Sequence, residues 1–155
     1  MRITIAAVGL RQPGWADAAV ADFLKRFPAG FAVELRAVKA APREGQPVER
    51  IRRAEAERLR AALPPRATLV ALDERGRDLD TAGLAAELTR WSQAGEPLAF
   101  LIGGPDGLDP QLLREARQVV RLSSLTLPHA LARVVLVEAL YRAWSLSKGH
   151  PYHRE

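Results

Sequence analysis

Cysteine is absent from this 155-residue chain. That absence excludes disulfides, thiolate nucleophiles and every zinc or iron–sulfur centre held by thiolates. No run of about 18 apolar residues occurs, so no transmembrane helix is expected. The opening Met1-Arg2-Ile3 leads straight into a strand-like pattern. With no apolar stretch of about 7–15 residues ahead of a small-residue cleavage site, no signal peptide is expected and the reading is cytoplasmic. Three catalytic or nucleotide-binding signatures are also missing: GxGxxG, GxxxxGK[ST] and GxSxG. A dinucleotide site, a P-loop and a hydrolase nucleophile elbow therefore have no support. Lysine is scarce, with only Lys25, Lys39 and Lys148 among 23 basic residues. Set against 18 acidic residues, these give a net charge of +5. A positive balance suits a nucleic-acid partner bound through its phosphates; a surplus of arginine in an alanine-rich chain also arises from codon composition alone.

What is present is ordinary globular material: 48% hydrophobic and 26% charged residues, the size of one domain spanning 1–155. The pattern alternates. Residues 2–8 form a short apolar run with β-branched content, a strand. Residues 14–27 carry Trp15, Ala19, Phe23 and Phe27 at four-residue steps, a helical stripe. A second strand is expected over 31–38, then a loop rich in Pro, Gly and charge over 40–47. Pro47 suits the first turn of a charged helix over 47–62, in which Glu49 precedes Arg53 by four residues. Its arginines are interleaved with glutamates, which favours a solvated face over an RNA footprint. A third strand is expected over 66–72, a polar loop over 74–80, and a helix over 81–94 on Leu84, Leu88 and Trp91, stopped by Gly95. A fourth strand (97–102), a short helix after Asp109-Pro110, a fifth strand (118–122) and a long helix from Pro128 to about Ser147 complete the chain. Strands alternating with helices imply an α/β fold, a mostly parallel sheet with helices on both faces.

In such sheets ligands sit at the carboxyl ends of strands. Three segments leave those ends: Leu72-Asp73-Glu74, Gly103-Gly104-Pro105-Asp106-Gly107, and the stretch from Ser123 to Pro128. A glycine pair permits close approach of a ligand to the backbone, or a positive φ; a plain tight turn is an equal reading. The last helix is apolar nearly all round, through Leu131, Val134, Val135, Leu136, Val137, Leu140 and Trp144, so one of its sides suits a subunit interface. Glu138 and Arg142, four apart within it, read first as a structural ion pair. The tail His150-Pro151-Tyr152-His153-Arg154-Glu155 gathers two of the three histidines, although terminal residues are normally idle. His150 and His153 without a third ligand are weak support for a metal.

The segments LIGGPDGL (101–108), SSLTLPHALARVVLVEALYRAWSLSKGHPYHRE (123–155) and RITIAAVG at the start resemble the small SPOUT-class methyltransferases that modify N3 of a pseudouridine in large-subunit ribosomal RNA. The resemblance covers the whole chain. It implies a C-terminal deep trefoil knot and S-adenosylmethionine as methyl donor. It also implies a homodimer with the last helix in the interface, an active site shared between subunits, and no metal. Donor contacts would come from Leu72, Gly103, Gly104, Leu122, Ser123, Ser124, Leu125, Thr126 and Leu127. Base contact and proton handling would fall to Tyr152, Arg154, His129 and His153, with Glu138 and Arg142 behind them. Two alternatives accompany this expectation: a non-catalytic RNA- or ribosome-binding module, and a SPOUT enzyme acting on transfer RNA.

Overall fold

The computed structural model describes residues 1–154. The chain runs β1 (Arg2–Val8), α1 (Gly14–Leu24), β2 (Ala32–Val38), α2 (Val48–Ala62), β3 (Thr68–Asp78), α3 (Thr81–Ala94), β4 (Leu98–Ile102), α4 (Pro110–Glu115), β5 (Gln118–Arg121) and α5 (His129–Lys148), closing on a 3₁₀ turn at Pro151–Arg154. The five strands form one sheet in the order β2-β1-β4-β3-β5, with every neighbouring pair parallel. No helix among the described residues is long and apolar enough to cross a membrane.

Side chains alternate across a strand, so a sheet covered on both faces reads as a nearly continuous apolar run. In β1, Ile3, Ile5 and Ala7 enter one core layer while Ala6 and Val8 enter the other. In β4, Leu98, Phe100 and Ile102 face the first layer and Leu101 the second. The first layer is closed by α1, α3 and α5, through Val20, Leu84, Leu88, Trp91, Leu136, Val137 and Leu140. The second is closed by α2 and α4, through Ala56, Leu59 and Leu112.

Three local expectations are corrected. The third strand does not end at Leu72 but continues to Asp78. Leu72 and Arg77 both register with Val120, so residues 73–76 bulge out and Arg77 and Asp78 then rejoin β5. Polar residues are admitted there because β5 is the sheet edge, and the Arg121 guanidinium clasps the Asp78 carboxylate, Nη2 at 2.8 Å. Gly76 is required by contact: a Cβ there would lie 2.5 Å from the backbone carbon of Val120. In α1 the buried stripe is Ala16 and Val20, continuing into half-buried Phe23; Trp15 stands one position away from it and is 56% exposed. The helix also stops at Leu24, not 27. Finally, Pro47 is the residue before α2 and not its first turn. The arginines of that helix reach outward, Arg60 to Glu115 on α4 at 3.1 Å and Arg58 to the Lys39 carbonyl at 2.8 Å.

Asp80 caps α3, its carboxylate accepting from the Gly83 N–H at 2.7 Å. Such a cap satisfies one of the donors a helix N-terminus leaves free. Gly95 ends the same helix in the left-handed region, φ +72°, as expected.

Candidate active site

β1 and β4 are neighbours in the sheet, yet the chain leaves them toward opposite faces, into α1 and into α4. In parallel sheets such a divergence opens a crevice beyond the carboxyl ends of the strands. Here the first turns of α5 bridge it. The His129 Nδ1 lies 2.9 Å from the Gly103 carbonyl just past β4. Arg133, one turn further along, donates from Nε to His129 Nε2 at 2.8 Å and from Nη2 to the carbonyls of Gly9 at 2.5 Å and Val8 at 3.3 Å. Both ring nitrogens of His129 are therefore engaged. Burial, then the charge of Arg133, hold the imidazole below its ordinary range, against the Gly103 bond. Burial likewise lowers Arg133, opposed by Asp17 on α1.

The loop after β4 is built by its glycines as a tight turn, one of the two readings the sequence left level, and without the positive φ offered for the pair. Neither Gly103 nor Gly104 takes a positive φ; Gly107 does, at +80°. Gly107 turns the chain, and its N–H returns to the Gly104 carbonyl at 2.9 Å. Gly103 lets the two limbs of that turn touch, since a Cβ would sit 2.7 Å from the carbonyl carbon of Gly107. α2 and the segment before it stitch the loop from behind. Arg52 Nε donates to the Asp106 carbonyl at 2.6 Å, and the Arg43 guanidinium grips the Asp106 carboxylate with both nitrogens. Glu55, 2% exposed, accepts the Ala41 N–H on Oε2 at 3.1 Å. Its Oε1 has no hydrogen-bond partner among the described residues. That oxygen faces Gly104, 3.1 Å from where a Cβ would stand.

Leu72 and Leu122 line a small apolar cavity of about 60 Å³ with Phe100, Val120, Val135 and Leu136. Beyond β5 the chain turns outward: Ser123 Oγ accepts the Leu125 N–H at 2.9 Å, Ser124 and Thr126 are exposed, Leu125 is 76% exposed and Leu127 half-buried.

The tail folds back on α5 well away from this crevice. The Tyr152 hydroxyl donates to Glu138 Oε1 at 3.2 Å, beside the Arg142 Nε–Glu138 bond at 2.8 Å. Its ring packs on Tyr141, centroids 4.8 Å apart, and edge-on to Phe23. Burial, then Glu138, raise the Tyr152 phenol above its ordinary value, so it stays protonated there. His153 Nδ1 lies 3.1 Å from Ser145 Oγ, and Arg154 is exposed.

Among the sequence candidates, Leu72 and Leu122 thus share a cavity, and Gly103 and His129 share a hydrogen bond. Tyr152 and His153 join neither group. Their anchors Glu138 and Ser145 stand nine and sixteen residues beyond His129, about 14 and 24 Å along the helix at 1.5 Å per residue. The expected pairing of Glu138 with Arg142 is present. Arg133 and Glu55 escaped the sequence reading. The signal for Arg133 was a cation inside an apolar helix; Glu55 had none, being one of several glutamates in a charged helix.

Comparison with known proteins places the chain. Residues 1–153 match the family described as "Predicted SPOUT methyltransferase". Proteins named ribosomal RNA large subunit methyltransferase H from Paracidovorax citrulli and Verminephrobacter eiseniae are each 54% identical over 155 residues, covering all of both chains. The protein of that name from Bordetella avium is 52% identical over 99% of each chain. A match across essentially the full length, on a parallel sheet with its loops at the carboxyl ends, means that this chain belongs to the SPOUT methyltransferase family.

Proposed function

We propose that this protein transfers a methyl group from S-adenosylmethionine to N3 of a pseudouridine in large-subunit ribosomal RNA, working as a homodimer in the cytoplasm, where ribosomes are found. The observation that carries the reading is the end-to-end identity of 54% with relatives named for methylation of that RNA. The knotted C-terminal half implied by the sequence resemblance belongs to the same reading.

The residues present fit the donor. The cavity between Leu72, Phe100 and Leu122 is about 60 Å³, several times the roughly 10–15 Å³ that one water needs, and its walls are leucines, valines, Phe100 and Ala139, with Arg121 as the one charged residue among them. That suits a flat, uncharged ring. The Gly103-Gly104 backbone offers approach without side chains, and residues 123–127 bring the hydroxyls of Ser123, Ser124 and Thr126 for the polar end. The donor supplies a sulfonium-activated methyl group. The protein's part is to align it with a ring nitrogen that has lost its proton, and alignment alone is worth several kcal/mol.

Arg154 is the cation suited to favour the deprotonated imide and to hold a phosphate. Tyr152 offers a ring for stacking and a hydroxyl, and His153 a second polar edge. Within one chain these lie far along α5 from His129, so the reading assigns them to the donor crevice of the other subunit. The partly exposed apolar side chains of α5, Leu131 and Leu146 among them, together with exposed Leu10 and Trp15, supply apolar surface for such a dimer.

The test is methyl transfer from isotopically labelled donor to large subunits from cells lacking this protein, followed by nucleoside mass spectrometry. One methylated pseudouridine per large-subunit RNA is expected. Label appearing only in transfer RNA, or no transfer by a dimer that binds the donor, overturns the reading.

A further inference from the structure

Among the described residues Arg133 is the one buried cationic side chain, 2% exposed. Burying a guanidinium is costly unless its donors are used. Among the described residues it makes no ion pair within 4.0 Å; Asp17 on α1 acts on it through its field, and its donors go to two backbone carbonyls and a histidine.

The hydrogen bonds dictate a proton state. A guanidinium has no acceptor, so His129 Nε2 must be the lone-pair nitrogen. A carbonyl has no donor, so His129 Nδ1, 2.9 Å from the Gly103 oxygen, must carry the hydrogen. The ring is therefore neutral and in the Nδ1–H form. A chain of donors runs from Arg133 in two directions: to Val8 and Gly9 beyond β1, and through His129 to Gly103 beyond β4. It spans the two strand ends at which the sheet opens its crevice.

We infer that Arg133 is a positioning residue for the methyl donor: it locks His129 in the Nδ1–H tautomer, and through it fixes the Gly103 carbonyl and the Gly103-Gly104 backbone against which the donor is held. This rests on the reading of that backbone as part of the donor site. His129 in this arrangement has no free lone pair and accepts no proton in the reaction; it transmits the hold of Arg133. The charged groups around the pair are Arg133 on the same helix, Asp17 on α1, and Glu55 on α2 behind Gly104. Burial and the Arg133 charge both act to keep the ring neutral, in agreement with the hydrogen-bond pattern.

The test uses the full-length dimer with ¹⁵N-labelled histidine and two-bond proton–nitrogen correlations, alongside calorimetric titration with S-adenosylhomocysteine. The parent is expected to show a protonated Nδ1 and a bare Nε2 at His129, staying neutral through the pH range where free histidine titrates. Arg133→Met, folded by circular dichroism and dimeric by light scattering, is expected to release the tautomer. It should loosen the ligand roughly 10- to 100-fold, the worth of a hydrogen bond to a charged group. In turnover, the donor KM should rise while kcat at saturating donor stays near parental. Should Arg133→Met fail to fold, Arg133→Lys keeps the cation without the planar fork, and the same loosening and tautomer release are expected in smaller measure. An Nε2–H tautomer in the parent overturns the inference, as does a folded Arg133 variant with parental tautomer and affinity. A parent whose Gly103 and Gly104 amide signals do not respond to S-adenosylhomocysteine removes the donor reading, and the inference with it, whatever the tautomer of His129.

Discussion

Gly103 and Gly104 adjoin in the chain but meet different surroundings, and their substitution should separate accordingly. An alanine Cβ at 103 would strike the backbone of Gly107 at 2.7 Å and Leu108 at 2.9 Å, atoms that cannot yield without opening the turn. At 104 it would meet Glu55 Oε1 at 3.1 Å and Val8 Cγ1 at 3.2 Å, both side-chain atoms. Gly103→Ala is therefore expected to cost about 1–3 kcal/mol, the range for overpacking. Gly104→Ala should cost clearly less, as Glu55 shifts by a few tenths of an ångström. Chemical denaturation of the two variants measures this, and equal losses would contradict it. The sequence marked the pair as special but not the reason. A glycine next to a buried strand reads alike whether it admits a ligand, a positive φ or another stretch of backbone. What decides here is the return of residues 107–108 against 103, a contact set by the turn at Gly107.

At the scale of elements, legibility followed burial. Strands covered on both faces, β1 and β4, stood out as apolar runs, and α3 as a stripe with Leu84, Leu88 and Trp91 all buried. The second half of β3 did not, because at Arg77 and Asp78 it pairs only with the edge strand β5, held by backbone pairing and an ion pair, and carries no apolar signature there. Arg77 and Asp78 looked like loop residues for that reason. Gly76→Ala tests this account. Its Cβ would fall 2.5–2.8 Å from the backbone of Val120 and Arg121, so the two strands must part. We expect a loss of about 1–3 kcal/mol and faster hydrogen exchange confined to residues 77–78 and 118–121. Unchanged exchange there, with only a uniform loss of stability, would mean that this pairing contributes nothing locally. The Trp15 error has a related origin. A four-residue stripe tolerates a neighbour one position off until the packing of Ala16 and Val20 selects the face.

For the whole molecule, the proposed function requires that a tail anchored on Glu138, Tyr141 and Ser145 serve a crevice at the other end of the same helix. Within one subunit the helix is rigid, and nothing brings the two ends together. In the proposed dimer, packed through α5, the tail of one subunit would reach the crevice of the other, and the site would be composite. Mixing two damaged proteins distinguishes these arrangements. One partner carries Arg154→Ala with Tyr152→Phe, leaving its donor crevice intact. The other carries Gly104→Val, whose branched side chain would press on Glu55 and Val8 and so displace the donor backbone, while its tail remains intact. Each alone is expected to transfer methyl groups at least about 10²-fold more slowly, since a positioned polar group typically contributes about 10²–10⁴. After co-refolding, statistical pairing makes about half of the dimers mixed. Each mixed dimer holds one crevice that is intact together with the tail facing it, so activity should return to about one quarter of parental. If tail and crevice of the same chain worked together, every site in the mixture would carry a lesion and no activity would return. Donor binding provides the control: it should be lost only in the Gly104→Val chains, so the mixture binds at half the parental stoichiometry whether or not turnover recovers.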